Sequence, residues 1–314
     1  MTCSIPSEST RIKSAPTVGT EENRMQKIKL LGISGSPRHG NTETLVKEAL
    51  QSAAELVPAD TELISLAGLK INPCDGCNRC YGFSKGATWE RLCPVYDDDV
   101  TMIYQKIREA DGLIIGSPVY TGDITARLKA LMERGACFCH YSASPVAGSI
   151  RNKVVGGIVV AFERRGGQES ALQSIWRWAT GILFSHVVGA VPFPGDPPPQ
   201  ASALGGLADT CDSHTGYGKK GALAETTRTV PPTSGIYNLK SVRNLGKSVG
   251  LGALAMNRGL MAIKEEGIDI PPLPLTSFPP NILQPDSYLE QVFSGKIQVP
   301  SYQTIKGIAK ERDK

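Results

Sequence analysis

The stretch KIKLLGISGSPRHGNTETLVKEALQSAAEL, residues 27–56, decides the fold. Residues 27–34 are short and mostly apolar, which suits a strand buried on both faces of a parallel sheet. From Thr42 onward Leu45, Ala49, Leu50, Ala53 and Leu56 recur at helical spacing. A Gly/Ser/Pro loop joins the two. Strand, loop and helix in this order begin a parallel winding, and the loop falls where such sheets hold their ligands, outside the carboxyl ends of the strands.

The alternation continues outward from there. Residues 61–66 make a second strand, and the helix carrying Val100, Ile103 and Ile107 follows Asp97, Asp98 and Asp99, acids that suit a helix N-terminus. Residues 112–116 are a third strand, followed by a helix with Ile124, Leu128, Leu131 and Met132. The β-branched run 153–162 is a fourth strand, the helix with Leu172, Ile175 and Trp176 comes next, and residues 186–191 close the series. Five strands alternating with helices predict a parallel sheet covered on both faces. The pattern stops at Pro192 and returns as a helix over residues 239–263. The expected organisation is an N-terminal arm (1–26), one α/β domain (27–266) with a cysteine loop (72–96) and an irregular insertion (193–235), and an extended tail (267–314).

Composition narrows the function classes. Basic and acidic residues number 34 and 30 and are spread along the chain, so no nucleic-acid interface is expected. Apolar runs such as 154–162 fall far short of the ~20 residues that span a membrane. Residues 1–24 are polar and lack the apolar core of a secretory signal, which makes a cytoplasmic protein the expectation.

The loop at 32–42, GISGSPRHGNT, supplies hydroxyls from Ser34, Ser36 and Thr42, an amide from Asn41 and one permanent cation, Arg38. At a helix N-terminus that set suits a terminal phosphate monoester. The dinucleotide fingerprint is absent, because Ser36 and Pro37 follow Gly35. Asn41 stands where a Walker loop has lysine, so the cation that bridges nucleotide phosphates is missing.

GISGSPRHGNT resembles the phosphate loop of the NADPH-dependent FMN reductase and iron–sulfur flavoprotein families. ADGLIIGSPVYTGDITARLKALMER, residues 110–134, resembles their second flavin loop, and VVGGIVVAFERRGGQESAL, residues 154–172, is similar to their third. The resemblance implies a flavodoxin-like doubly wound sheet of order 2-1-3-4-5, with FMN at the switch between strands 1 and 3. It implies that Ser34, Ser36, Arg38, Asn41 and Thr42 hold the phosphate. Pro118, Val119, Tyr120, Thr121 and Gly122 would line the isoalloxazine edge. Glu163, Arg164, Gly166 and Gly167 would face the flavin's polar end, where a donor near N1 stabilises the anionic reduced form.

Four of the eight cysteines lie close together: Cys74-x2-Cys77-x2-Cys80, then Cys93-Pro94. This is close to the ferredoxin run C-x2-C-x2-C-x3-C-P, apart from its longer last gap. Iron–sulfur flavoproteins carry a compact cysteine motif at the same place, between the second strand and second helix. A [4Fe–4S] cluster on these four residues is the leading expectation; a zinc site, a disulfide or no metal stay open. Cys137-x-Cys139-His140 holds three potential ligands, but residues two apart on a helix face different ways. Cys211 and His214 lie in the insertion, and His39 lies in the phosphate loop. Trp89, Trp176 and Trp178 read as packing residues.

The expected activity is an FMN-dependent oxidoreductase. Its donor is NAD(P)H or a ferredoxin-like protein, its acceptor a small molecule or a protein, and no side chain is required as acid or base. The alternatives are a non-catalytic electron carrier and a cluster-free NAD(P)H:FMN or quinone reductase. A homo-oligomer is also expected, because Ile270, Leu273, Leu275 and Phe278 in the tail are apolar while Pro271, Pro272 and Pro274 forbid a helix that could bury them.

Overall fold

Strand β1 (Ile28–Ser34) sits inside the sheet because its side chains are apolar on both faces. Ile28 and Leu30 point to one side, Leu31 and Ile33 to the other, and all four are buried. A computed structural model defines the protein over residues 26–81, 86–139, 144–162, 166–190, 206–209 and 234–268. After β1 come α1 (Asn41–Leu56), β2 (Ala59–Ser65), α2 (Val100–Glu109), β3 (Gly112–Pro118) and α3 (Ala126–Glu133), the last continued by a 3₁₀ turn (Arg134–Phe138). Next are β4 (Val154–Ala161), α4 (Gln168–Gly181), β5 (His186–Val187), β6 (Gly206–Asp209) and α5 (Ser234–Glu265).

The strands pair in the order β2-β1-β3-β4-β5, parallel throughout. This is the flavodoxin-like order expected from the sequence. One face is closed by α1 and α5, whose Leu45, Val46, Ala49, Val242, Leu245 and Val249 pack on Ile28, Leu30, Ile114 and Ile158. The other is closed by α2, α3 and α4, which place Ile103, Tyr104, Leu131, Leu172 and Trp178 against Leu31, Ile33, Leu113 and Val155.

The far edge departs from expectation. The run 186–191 pairs with β4 only through His186 and Val187, opposite Val154 and Val155. The same edge is then resumed by β6, which pairs with Ile158–Ala161. The insertion at 193–235 therefore contains a strand and the start of α5, where no regular structure was expected. GLAD is too short and too rich in small residues to show a period. Most of the arm, the insertion and the tail, and with them the apolar tail residues behind the expected homo-oligomer, lie outside the described residues. Among those described, no helix is long and apolar enough to cross a membrane.

Helix α5 lies very close to α1 where Gly246 passes Ala49: a Cβ on Gly246 would overlap the Ala49 carbonyl oxygen. Gly259, in the same helix, has open space at its Cβ position. The two glycines should therefore respond to alanine with opposite signs. Gly246→Ala is expected to destabilise by about 1–3 kcal/mol through overpacking. Gly259→Ala should stabilise by about 0.5–1 kcal/mol through helix propensity. Urea midpoints of the two variants against the parent check both.

Candidate functional site

Three loops leave the carboxyl ends of β1, β3 and β4 and meet along one edge. The first is clipped at its base on both sides. Leu66 N–H donates to Ser34 O (2.9 Å), Gly35 N–H donates to Gly116 O (2.7 Å), and Thr125 Oγ1 donates to Gly35 O (2.6 Å). Residue 35 must be glycine, because a Cβ would stand 2.8 Å from Leu128 and 2.9 Å from Gly116 O. The Ser36 hydroxyl donates to Arg38 O and accepts from Arg38 N–H, which folds the loop tightly. The Ser34 hydroxyl is fully buried and has no hydrogen-bond partner in the described structure. Helix α1 begins at Asn41 with no side-chain cap, so its positive end is presented to this loop; Thr42 is buried in the first turn.

His39 is exposed and paired with Glu43 at 2.6 Å, and Lys47 joins the same carboxylate at 2.8 Å. The Lys47 ammonium and then His39 hold the Glu43 carboxyl down to about 2. Arg38 instead reaches across to the second loop, with a guanidinium nitrogen 3.4 Å from the Tyr120 hydroxyl.

The second loop is anchored by Val119 N–H on Val160 O (2.8 Å) and closed by reciprocal backbone bonds between Tyr120 and Asp123. Thr121 and Gly122 at its tip have φ of 51° and 80°; a threonine in that region is backbone strain held by the surrounding bonds. The third loop touches the second, since a Cβ on Gly167 would stand 2.6 Å from Gly122 Cα. Ser34, Ser36, Arg38, Asn41, Thr42, the run 118–122, Gly166 and Gly167 thus lie on one rim. Glu163 and Arg164 fall outside the described residues.

The cysteine loop leaves β2 at the same edge. Cys74, Cys77, Cys80 and Cys93 all line one cavity of about 130 Å³, closed on its far side by Glu133, Arg134 and Ala136. Gly76 (φ 64°) and Asn78 (φ 55°) let the loop turn back on itself. Backbone N–H groups of Gly76 and Tyr96 donate to the sulfurs of Cys74 and Cys93, both at 3.4 Å. Burial, and after it the neighbouring thiols of Cys74, Cys93 and Cys77, push the Cys80 thiol up to about 11. Among the described residues no group of three or more His, Cys, Asp or Glu side chains stands in position to hold a metal ion. Cys137 and Cys139 are buried, and burial pushes the Cys137 thiol up. His140, Cys211 and His214 lie outside the described residues.

The sequence reading missed the ion pair that frames this cavity. Arg134 and Asp98 are joined bidentately, at 2.7 and 3.2 Å, with side chains only 3 % and 1 % exposed. Arg134 also donates to Asn72 O (3.0 Å), and Asn72 returns its own N–H and side-chain amide to Asp98. Asp98 therefore serves a buried partner from its place beside the helix N-terminus. Burial by itself would raise its pKa; the Arg134 and Asn72 hydrogen bonds overcome that and hold its carboxyl below the usual range. A larger cavity, about 540 Å³, opens at the opposite end of the sheet between Asp111, Lys153 and Asn257, away from every residue nominated above.

The family model described as NADPH-dependent FMN reductase matches residues 28–194. An iron–sulfur flavoprotein of Methanocaldococcus jannaschii is 40 % identical, covering 71 % of this chain and 95 % of the relative. An iron–sulfur flavoprotein of Methanosarcina thermophila is 37 % identical over 48 % of this chain and 72 % of its own length. An NAD(P)H-dependent FAD/FMN reductase of Geobacillus thermodenitrificans is 31 % identical over 41 % of this chain and 57 % of its own length.

Removing one member of the Asp98–Arg134 pair should be costly. Asp98→Asn is expected to destabilise by about 3–5 kcal/mol at neutral pH, because a buried guanidinium loses its counter-charge. Asp98 is held below its unfolded pKa of ~3.9, so its contribution is complete above that value and is lost as pH falls through the folded one. The gap between parent and variant should narrow as pH drops from about 5 towards 2. Denaturant unfolding across that window checks the sign.

Proposed function

The chain belongs to the NADPH-dependent FMN reductase and iron–sulfur flavoprotein family and is a flavin-dependent oxidoreductase; we propose that it binds FMN on the three-loop rim and a [4Fe–4S] cluster in the cysteine cavity. It takes electrons from NAD(P)H or a ferredoxin-like protein and delivers them to a small-molecule or protein acceptor. The observation that carries the reading is the convergence of the three loops at the carboxyl ends of β1, β3 and β4, with the cysteine cavity opening one connection away.

The first loop fits a phosphate monoester. It offers a buried hydroxyl without a partner at Ser34, the Ser36 and Thr42 hydroxyls, an uncapped helix start and Arg38 at the rim. The second and third loops supply a neighbouring rim of backbone, and Tyr120 stands 41 % exposed where it can cover a flat ring. When bound, the flavin supplies hydride and electron chemistry; the chain's part is to bind, orient and exclude water. The donor set of the second cavity is four thiols with two N–H···S bonds and one buried cation on its wall. A single zinc needs its donors converged at ~2.3 Å on one point, whereas a cubane takes its four cysteines around a volume. Four thiols lining one cavity support the second case by their number and type. The absence of a convergent group among the described residues favours a cluster-free reductase as the second reading.

Two measurements test this. Arg38→Ala should weaken FMN by about 1.5–3 kcal/mol, roughly ten- to hundredfold, the worth of a charge-assisted hydrogen bond. Flavin-fluorescence titration of the apoprotein reads that change, and extraction of FAD in place of FMN from native protein overturns the FMN assignment. Iron and sulfide analysis of anaerobically purified protein tests the cluster. Serine at Cys74, Cys77, Cys80 or Cys93 should bleach the broad visible absorption and leave the flavin bands; stoichiometric zinc without iron overturns the cluster.

A further inference from the structure

Three charged side chains line the cysteine cavity: Asp75, Glu133 and Arg134. Two of them lie in water. Asp75 is exposed and accepts from the Tyr96 hydroxyl, and Glu133 is 41 % exposed and faces Lys129. Another cation nearby, Arg91, is exposed and engaged on the carbonyls of Cys93 and Pro94. Arg134 alone among these is buried, at 3 % exposure. Its guanidinium also lies over the ring of Tyr96, 5.1 Å from the centroid, and the N–H of Tyr96 donates to Cys93 Sγ. Asp98, which grips it, lies behind it and outside the cavity lining. The pair is therefore a fixed dipole with its positive end towards the thiols.

From this geometry we propose that Arg134 sets the reduction potential of the cluster: it is a permanent buried cation, aimed by Asp98, that stabilises the charge added on reduction. The proposal rests on the cluster reading above. Taking up one electron adds one negative charge to what the thiolates hold, and no bond forms or breaks. A cation fixed in a low-dielectric wall acts on that charge several-fold more strongly than one in water. Net charge near the sulfurs is one of the levers on such potentials, and N–H···S bonds are another. Arg134 is thus not a ligand; it acts through its field, and Asp98 positions it.

Anaerobic spectroelectrochemical titration with dithionite, followed by EPR of the reduced cluster, tests the proposal on the full chain. The double variant Arg134→Gln/Asp98→Asn removes both charges and leaves no unpaired ion. It should make reduction at least tenfold less favourable, a fall of about 59 mV for a one-electron couple. Arg134→Lys should stay near the parent. Asp98→Asn alone weakens the same hydrogen bonds but keeps the cation and removes its counter-charge, so its potential should hold or rise. This opposition of sign separates charge from structure, since a merely structural residue would move both Asp98→Asn and the double variant the same way. An intact cluster at unchanged potential in the double variant overturns the proposal. So does a fall in Asp98→Asn or in Arg134→Lys as large as that in the double variant. If the double variant fails to load iron, Asp98→Asn decides alone: at or above the parent supports, below overturns. Parent protein without iron and sulfide overturns the cluster reading and this inference with it.

Discussion

Parallel winding imposes one condition from which the rest of the molecule follows: every strand must finish at the same edge of the sheet. All the ladders here are parallel, so the turns after β1, β2, β3 and β4 open side by side. The phosphate-type loop and the cysteine loop become neighbours for that reason, without any sequence proximity. Leu66, at the start of the cysteine loop, donates to Ser34 at the start of the phosphate loop. Arg127 of the next helix then grips that segment, donating to the carbonyls of Leu66 and Leu69. Helix α3 completes the link. It starts one residue after Thr125, which holds Gly35, and ends at Glu133 on the wall of the cysteine cavity. Its eight residues rise about 12 Å, which sets the scale of separation between the two sites.

Such an edge is only as firm as the sheet behind it, and the sheet is held by close helix approach. A Cβ at Gly116 would stand 2.5 Å from Val46, and one at Gly157 would stand 2.8 Å from Leu172. Helices on both faces thus pack onto bare backbone near the carboxyl ends of the strands. That seats α1 deep enough for its first turn to close the phosphate-type loop, with Thr42 buried against β3. The small residues in these strands look like weak strand formers in isolation, yet their lack of bulk is what brings the helix start to the site.

How legible this was depended on whether a feature is periodic. The strands and helices to Ile182 could be read from the sequence because buried runs and helical spacing survive without tertiary context. β6 could not, since four residues containing Gly and Ala have no period and their pairing partner lies more than forty residues away. Within the site, the hydroxyl-rich loop and the four cysteines were visible as composition at fixed spacing. Arg134 was not. It closes the helical run LKALMER, where a charged residue ordinarily marks the solvated end, and nothing local says that Asp98 waits to pair with it. Asp98 was seen only as one of three acids suited to a helix dipole, a role that Asp99 at the N-cap position also fills.

The two proposed sites share one economy of charge. Near the phosphate-type loop, Glu43 occupies both His39 and Lys47, which leaves Arg38, among the described residues, as the cation turned towards the rim. Hydroxyls and the helix start must supply the rest, and these bind an anion by geometry, which salt screens little where they are buried. Around the thiols, Asp98 balances Arg134 from behind and leaves its positive end facing the cavity. In both places a carboxylate engages the nearby basic groups, Glu43 holding His39 and Lys47 and Asp98 holding Arg134. A group that gains charge on reduction is better served by that arrangement than by several cations, because excess positive charge would hold it in the reduced form. One oriented cation lowers the cost of the added charge and still allows it to leave.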